Sequence, residues 1–156
     1  LWNTQQVVIA RVKGQASYLA VRRFVTSLGL GTTVVMAVGL VPAVGETLFG
    51  DLIGLDGQVK EYARHGYAIL AIVPFLQGWR SLYYGTLVSL GETGGIRTAA
   101  VARVVVLLAS LGLGVSYGEL AGIYVAAGAT LLAEVTEVGS LHLSVRRILA
   151  DAPPHA

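Results

Sequence analysis

Four charged residues stand well inside otherwise apolar stretches of the chain, Arg80, Arg103, Glu134 and Glu137, while Glu46 interrupts another such stretch only near its far end. A charge placed in the middle of an apolar span costs about 2.5 to 3.5 kcal/mol on insertion, so such residues turn toward an opposite charge or a water-filled cavity. Two arginines and two carboxylates have two uses in such a setting: locking helices together as ion pairs, or lining a polar pathway for transport. Glu134 and Glu137 are three residues apart, which sets them on one face of a helix that could meet two neighbours. Other chemistry is hard to assemble. The absence of cysteine excludes a disulfide framework, a thiolate zinc site and a catalytic thiol. His65, His142 and His155 are scattered without metal-ligand spacing, and His142 reads as a headgroup-level polar residue rather than a proton relay. Gly91, Glu92, Thr93, Gly94 and Gly95 form a polar turn that lacks the lysine and the preceding strand of a phosphate loop. With no triad, metal cluster or cofactor fingerprint, no catalytic residue, metal or cofactor is expected, and an enzyme is disfavoured.

The elements that position these charges follow from composition. Of 156 residues, 11 are Lys or Arg and 9 are Asp or Glu, 13% in all, against roughly 25% in a soluble domain. With 54% hydrophobic residues and a mean hydropathy of +0.70, the chain has too few charges to coat a water-soluble globule and is too apolar for disorder. The pI near 9.1 reflects a net charge of only +2, and the basic residues are sorted by position, which argues for membrane topology and not for nucleic acid. Leu1 at the first position leads us to expect a piece of a longer protein, while the polar, proline-containing stretch from Asp151 to Ala156 reads as a natural C-terminus. No secretory signal is visible.

A helix needs about 20 apolar residues to cross a ~30 Å hydrocarbon core. Four runs of that kind are expected to be spans: Phe24 to Phe49, Gly66 to Leu90, Thr98 to Val115, and Leu120 to Leu143. Pro74 should bend the second by removing a backbone hydrogen bond. Ser116, Tyr117, Gly118 and Glu119 should turn the third and fourth into a hairpin. Gln5 to Arg23 mixes apolar and basic residues and reads as the end of a truncated helix followed by an interfacial segment. Arg11, Lys13, Arg22, Arg23, Arg97, Arg146 and Arg147 then fall on one side, leaving Lys60 and Arg64 on the other, so both ends are expected to be cytoplasmic.

Depth selects partners. Arg80 lies about 3 Å to the cytoplasmic side of the middle of the second span, and Glu134 about 3 to 5 Å to the same side of the middle of the fourth, at 1.5 Å per residue. Arg103, about one and a half turns into the third span, matches Glu137. Two buried pairs are expected: Arg80 with Glu134, and Arg103 with Glu137. The small-residue pairs Gly29 with Gly31, Gly112 with Gly114 and Gly118 with Gly122 suit close helix packing. Trp79, Tyr83 and Tyr84 either line a cavity or pack in the core.

The passage Phe75, Leu76, Gln77, Gly78, Trp79, Arg80, followed by Gly91, Glu92, Thr93 and Arg97, resembles an arginine-bearing helix and its Gly-(Asp/Glu)-Thr turn in the multidrug/oligosaccharidyl-lipid/polysaccharide exporter superfamily. Leu48, Phe49, Gly50 and Asp51, with Val59 to Ala68, resemble that superfamily's passage between its third and fourth helices. The family turn often continues with proline, where this chain has Gly94, Gly95 and Ile96. The resemblance covers about Arg11 to Leu143 and implies helices three to six of a six-helix lobe, the C-terminal portion of a two-lobed flippase-like exporter. It further implies an ion-coupled rocking of two lobes, the missing N-terminal lobe as partner, and Arg80 as a contact for an anionic or phosphate-bearing substrate.

The expectation is therefore an all-α, multi-pass protein of the cell membrane: residues 1–23 truncated and interfacial, 24–145 a bundle of four transmembrane helices, 146–156 a cytoplasmic tail. Membrane lipids are its surroundings, and an anionic or lipid-linked small molecule a candidate substrate. Arg80, Arg103, Glu134 and Glu137 are the candidate pathway residues. The alternative is a small self-contained membrane scaffold without transport activity, assembling through its glycine faces.

Overall fold

The computed structural model describes residues 15–117 and 122–151. Among them every regular element is helical and no strand occurs. In chain order these are α1 (Gln15–Val38), α2 (Pro42–Gly45), a π-helical segment (Glu46–Leu52), α3 (Gly57–Leu70), α4 (Val73–Ser89), α5 (Thr93–Tyr117) and α6 (Gly122–Asp151). Residues 1–14, the Gly118–Glu119 half of the expected hairpin connection, the pairing of Gly118 with Gly122, and the tail from Ala152 lie outside the described residues.

The first expected span is shorter than its apolar run. The helix ends at Val38 and the chain turns through Gly39, Leu40 and Val41. Two features stop it. Pro42 has no N–H to offer to Val38 and instead opens α2. Arg64 of α3 donates from Nη2 to the Leu40 carbonyl at 2.9 Å, satisfying an acceptor that a continuing helix would have used. Gly54 and Gly57 then take positive φ values of 74° and 56°, which glycine tolerates without strain, and the chain enters α3.

The second expected span is two helices. Pro74 cannot donate to the Leu70 carbonyl, and its ring crowds that carbonyl, so the ladder breaks at Ala71 and Ile72. Ala71 and Ile72 keep right-handed helical dihedrals, so the expected bend takes the form of a two-residue lapse in the hydrogen-bond ladder. The expected five-residue turn is shorter: Gly91, at φ 75°, closes α4, and α5 already begins at Thr93, five residues earlier than the apolar run suggests.

Packing centres on α6, which lies along α5 and also touches α4 and α3, while α1 packs chiefly on α4. Glycines set the spacing. A methyl on Gly29 would come within 3.3 Å of Phe75, and one on Gly78 within 3.3 Å of Val25, so α1 and α4 run antiparallel at close approach. In the α5–α6 hairpin Gly114 faces Val125 and Gly95 faces Ser144. One register therefore runs the length of the hairpin and carries Arg103 to the level between Glu134 and Glu137. Tyr83, Leu87, Ala99, Leu141 and Val145 form the core where α4, α5 and α6 meet.

Two helical stretches, Leu19–Val38 and Thr93–Ser116, are long and apolar enough to cross a membrane. Only 11% and 6% of their apolar windows are buried, so neither is a sheltered core helix within this chain. The other two expected spans do not reach that standard as single helices. At 14 and 17 residues, α3 and α4 are about 21 and 26 Å long, and α6 carries Glu134, Glu137, Arg146 and Arg147 along its 30 residues.

Candidate functional site

The four charges singled out in the sequence meet in one cluster. Arg80 projects from the middle of α4, Arg103 from α5, and the two glutamates from one face of α6. Arg80 Nη1 lies 2.9 Å from Glu137 Oε2 and 3.3 Å from both carboxylate oxygens of Glu134. Arg103 Nη2 lies 2.8 Å from Glu134 Oε1, and its Nη1 lies 3.5 Å from Glu137 Oε2. The cluster is shared, not divided into two pairs. Its shortest contacts, Arg80 with Glu137 and Arg103 with Glu134, are the reverse of the pairing expected from depth. Glu134 and Glu137 occupy adjacent places on one helical face, so each arginine reaches both carboxylates.

Burial is uneven across the cluster. Both glutamate side chains are 2% exposed and Arg80 is 13% exposed, whereas Arg103 is 36% exposed. The carboxylates are sealed between the helices, and the guanidinium of α5 forms the open side. Charge-assisted hydrogen bonds to a guanidinium are stronger than neutral ones, and burying the acids without them would cost several kcal/mol per ion. The arginines are thus what makes the burial of Glu134 and Glu137 tolerable.

Two tyrosines extend the polar network beyond what the sequence suggested. Tyr84 donates from its hydroxyl to Glu137 Oε1 at 2.7 Å. It follows Arg80 by four residues, so it shares the arginine's face of α4, and that spacing was the available signal. Tyr83 is 5% exposed, and its hydroxyl lies 2.9 Å from His142 Nδ1. His142 is solvent-exposed and tied to α4 through that hydroxyl. Trp79 lies on another side of α4, against Val25 and Leu82 and beneath Arg22.

Among the described residues no group of acids and histidines could hold a metal ion. What the cluster can do is hold α4, α5 and α6 together through opposite charges. No family model, no curated protein and no solved structure matches the chain.

Proposed function

We propose that this chain is a membrane-embedded helical bundle from a multi-span exporter or flippase that works by alternating access, with both ends cytoplasmic. The observation that carries the reading is the enclosed cluster of Arg80, Arg103, Glu134 and Glu137 inside a bundle whose α1 and α5 expose apolar surface along their length. Ionisable groups enclosed by membrane helices mark substrate and ion pathways more often than they serve as ornament. Support also comes from the broken α3–α4 pair, since interrupted helices beside polar sites recur in transporters. On this reading α3 and α4 cross the bilayer together and α6 crosses behind its charges, giving four crossings of a six-helix lobe. The resemblance to the multidrug/oligosaccharidyl-lipid/polysaccharide exporter superfamily supplies the rest of the proposal: a second lobe, and a sodium or proton gradient that biases the two-state equilibrium.

The test is flux through the full-length gene product in proteoliposomes, with sodium and proton gradients imposed separately and two probes, a fluorescent cationic dye and a headgroup-labelled anionic lipid. The proposal expects gradient-dependent movement of one probe, abolished by Glu134→Gln in protein that still inserts. Absence of movement of either probe under both gradients rejects it.

A second reading is favoured by one specific observation, the formal neutrality of the cluster, in which two arginines balance two glutamates. A scaffold that uses these charges only to lock three helices needs nothing more. It expects Glu134→Gln to disrupt insertion or folding without any separable effect on flux.

A further inference from the structure

On the side of α4 away from the charge cluster, an open cleft of about 370 Å³ lies between α1 and α4, lined by Leu19, Arg22, Arg23, Thr26, Ser27 and Trp79. That volume falls within the range of small-molecule sites. Its charge is one-sided. Arg22 places its guanidinium 5.3 Å from the centre of the Trp79 ring, a cation–π contact that orients the group without neutralising it. Among the described residues neither Arg22 nor Arg23 forms an ion pair with a carboxylate. Ser27 adds a hydroxyl to the wall, and Trp79 adds its ring. The described lining residues therefore offer positive charge and a hydroxyl, and no acid among them answers the arginines.

Its position narrows the ligand. Arg22 and Arg23 lie in α1 immediately before the apolar run that begins at Phe24, the level at which headgroup phosphates meet acyl chains. Basic pockets between membrane helices on the cytoplasmic side suit anionic lipid headgroups, and the planar fork of arginine matches phosphate oxygens two at a time. Phe24 and Leu28, exposed on the same helix at 61% and 45%, give acyl chains apolar surface beside the cleft. We propose that the α1–α4 cleft binds a phosphate group carried by an anionic phospholipid of the inner leaflet, held by Arg22 and Arg23. The site rests on the membrane reading above but not on transport.

Equilibrium binding to the full chain tests it. The chain has two tryptophans, so Trp2→Phe leaves Trp79 as the emission reporter. Dihexanoylphosphatidylglycerol, dihexanoylphosphatidylcholine and sodium phosphate are titrated separately at constant ionic strength in neutral detergent. The phosphatidylglycerol should give a saturable change whose midpoint rises about tenfold in Arg22→Gln and again in Arg23→Gln. Arg23→Lys, which keeps the charge and loses the fork, should fall between wild type and Arg23→Gln, and Arg97→Gln, on an exposed residue outside the cleft, should match wild type. Because both cleft arginines are exposed, thermal unfolding should be unchanged, and Arg23→Lys carries the test should a glutamine variant not fold. An equal response to phosphatidylcholine, or wild-type midpoints in the Arg23 variants, overturns the site. An equal midpoint with sodium phosphate overturns the lipid source. Binding retained without flux speaks against transport alone, and flux retained without binding speaks against the cleft alone.

Discussion

Arg103 of α5 stands opposite the interval between Glu134 and Glu137 on α6 and reaches both, at 2.8 Å and 3.5 Å. The hairpin register fixes that position, because Gly114 against Val125 at one end and Gly95 against Ser144 at the other leave the middle no freedom to slide. Arg80, arriving from α4, closes the same two carboxylates from the other side.

The pairing has a measurable signature. In double-mutant cycles with Gln replacements, the coupling of Arg103 to Glu134 should exceed that of Arg103 to Glu137, and Arg80 to Glu137 should be strong, with coupling energies of about 1 to 3 kcal/mol. Removing one glutamate alone should cost about 3 to 5 kcal/mol, since it strands buried charge. Arg103→Gln should cost less than Arg80→Gln, because water already screens its more exposed guanidinium. Thermal unfolding of the detergent-solubilised protein provides the values, and equal coupling of Arg103 to both acids would contradict the geometry.

Two glycines two residues apart on α5 should respond in opposite directions. A methyl on Gly114 runs into Val125, whereas one on Gly112 meets nothing within 4 Å. Gly114→Ala is expected to destabilise by about 1 to 3 kcal/mol through overpacking, with Val125→Ala restoring much of the loss. Gly112→Ala should stabilise by up to about 1 kcal/mol through helix propensity. Unfolding midpoints of the three variants and the double variant check this.

The surface pair Glu46–Lys60 predicts a pH response outside the spans. Hydrogen bonding to Lys60 and its charge hold the Glu46 carboxyl below its ordinary 4.5, and hydrogen bonding to Glu46 raises the Lys60 ammonium above 10.5. The glutamate contribution is therefore complete above pH 4.5 and lost as pH falls through the lowered value. The lysine contribution is complete below 10.5 and lost as pH rises through the raised one. The protection factor of the Ile53 amide, whose N–H bonds the Leu48 carbonyl at 3.2 Å, should fall below the acidic transition, and Lys60→Gln should move that transition up toward the ordinary glutamate value.

Topology can be read with single cysteines, because the chain contains none of its own. Asp56→Cys, just before α3, should react with an impermeant maleimide added outside intact cells. Glu92→Cys, in the turn between α4 and α5, should react only after permeabilisation. Both native residues are exposed, so a reversed pattern would invert the proposed orientation and equal labelling would argue against a crossing between them.

The helical class and the meeting of four charges were legible because both depend on coarse quantities, the length of apolar runs and the level at which a charge interrupts them. Partner choice was not, because it depends on rotation, which changes by about 100° per residue while depth changes by only 1.5 Å. Element ends failed where punctuation was misjudged. Gly94 and Gly95 read as part of a turn, yet both lie in the first turn of α5, which displaces Arg103 about 7 Å deeper into its helix. Pro42 and Pro74 were visible, but whether a proline bends or severs a helix depends on what satisfies the freed carbonyls. At the end of α1 the Val38 carbonyl freed by Pro42 accepts from the Val41 N–H, and the Leu40 carbonyl is taken by Arg64, 24 residues further along the chain.

With two cations and two anions gathered within reach of one another, the cluster is electrically balanced. In a bilayer, a voltage does no net work on such a group displaced as a block. The field acts on it only through a motion that draws the guanidinium groups and the carboxylates apart, or through a change in how many protons the acids carry.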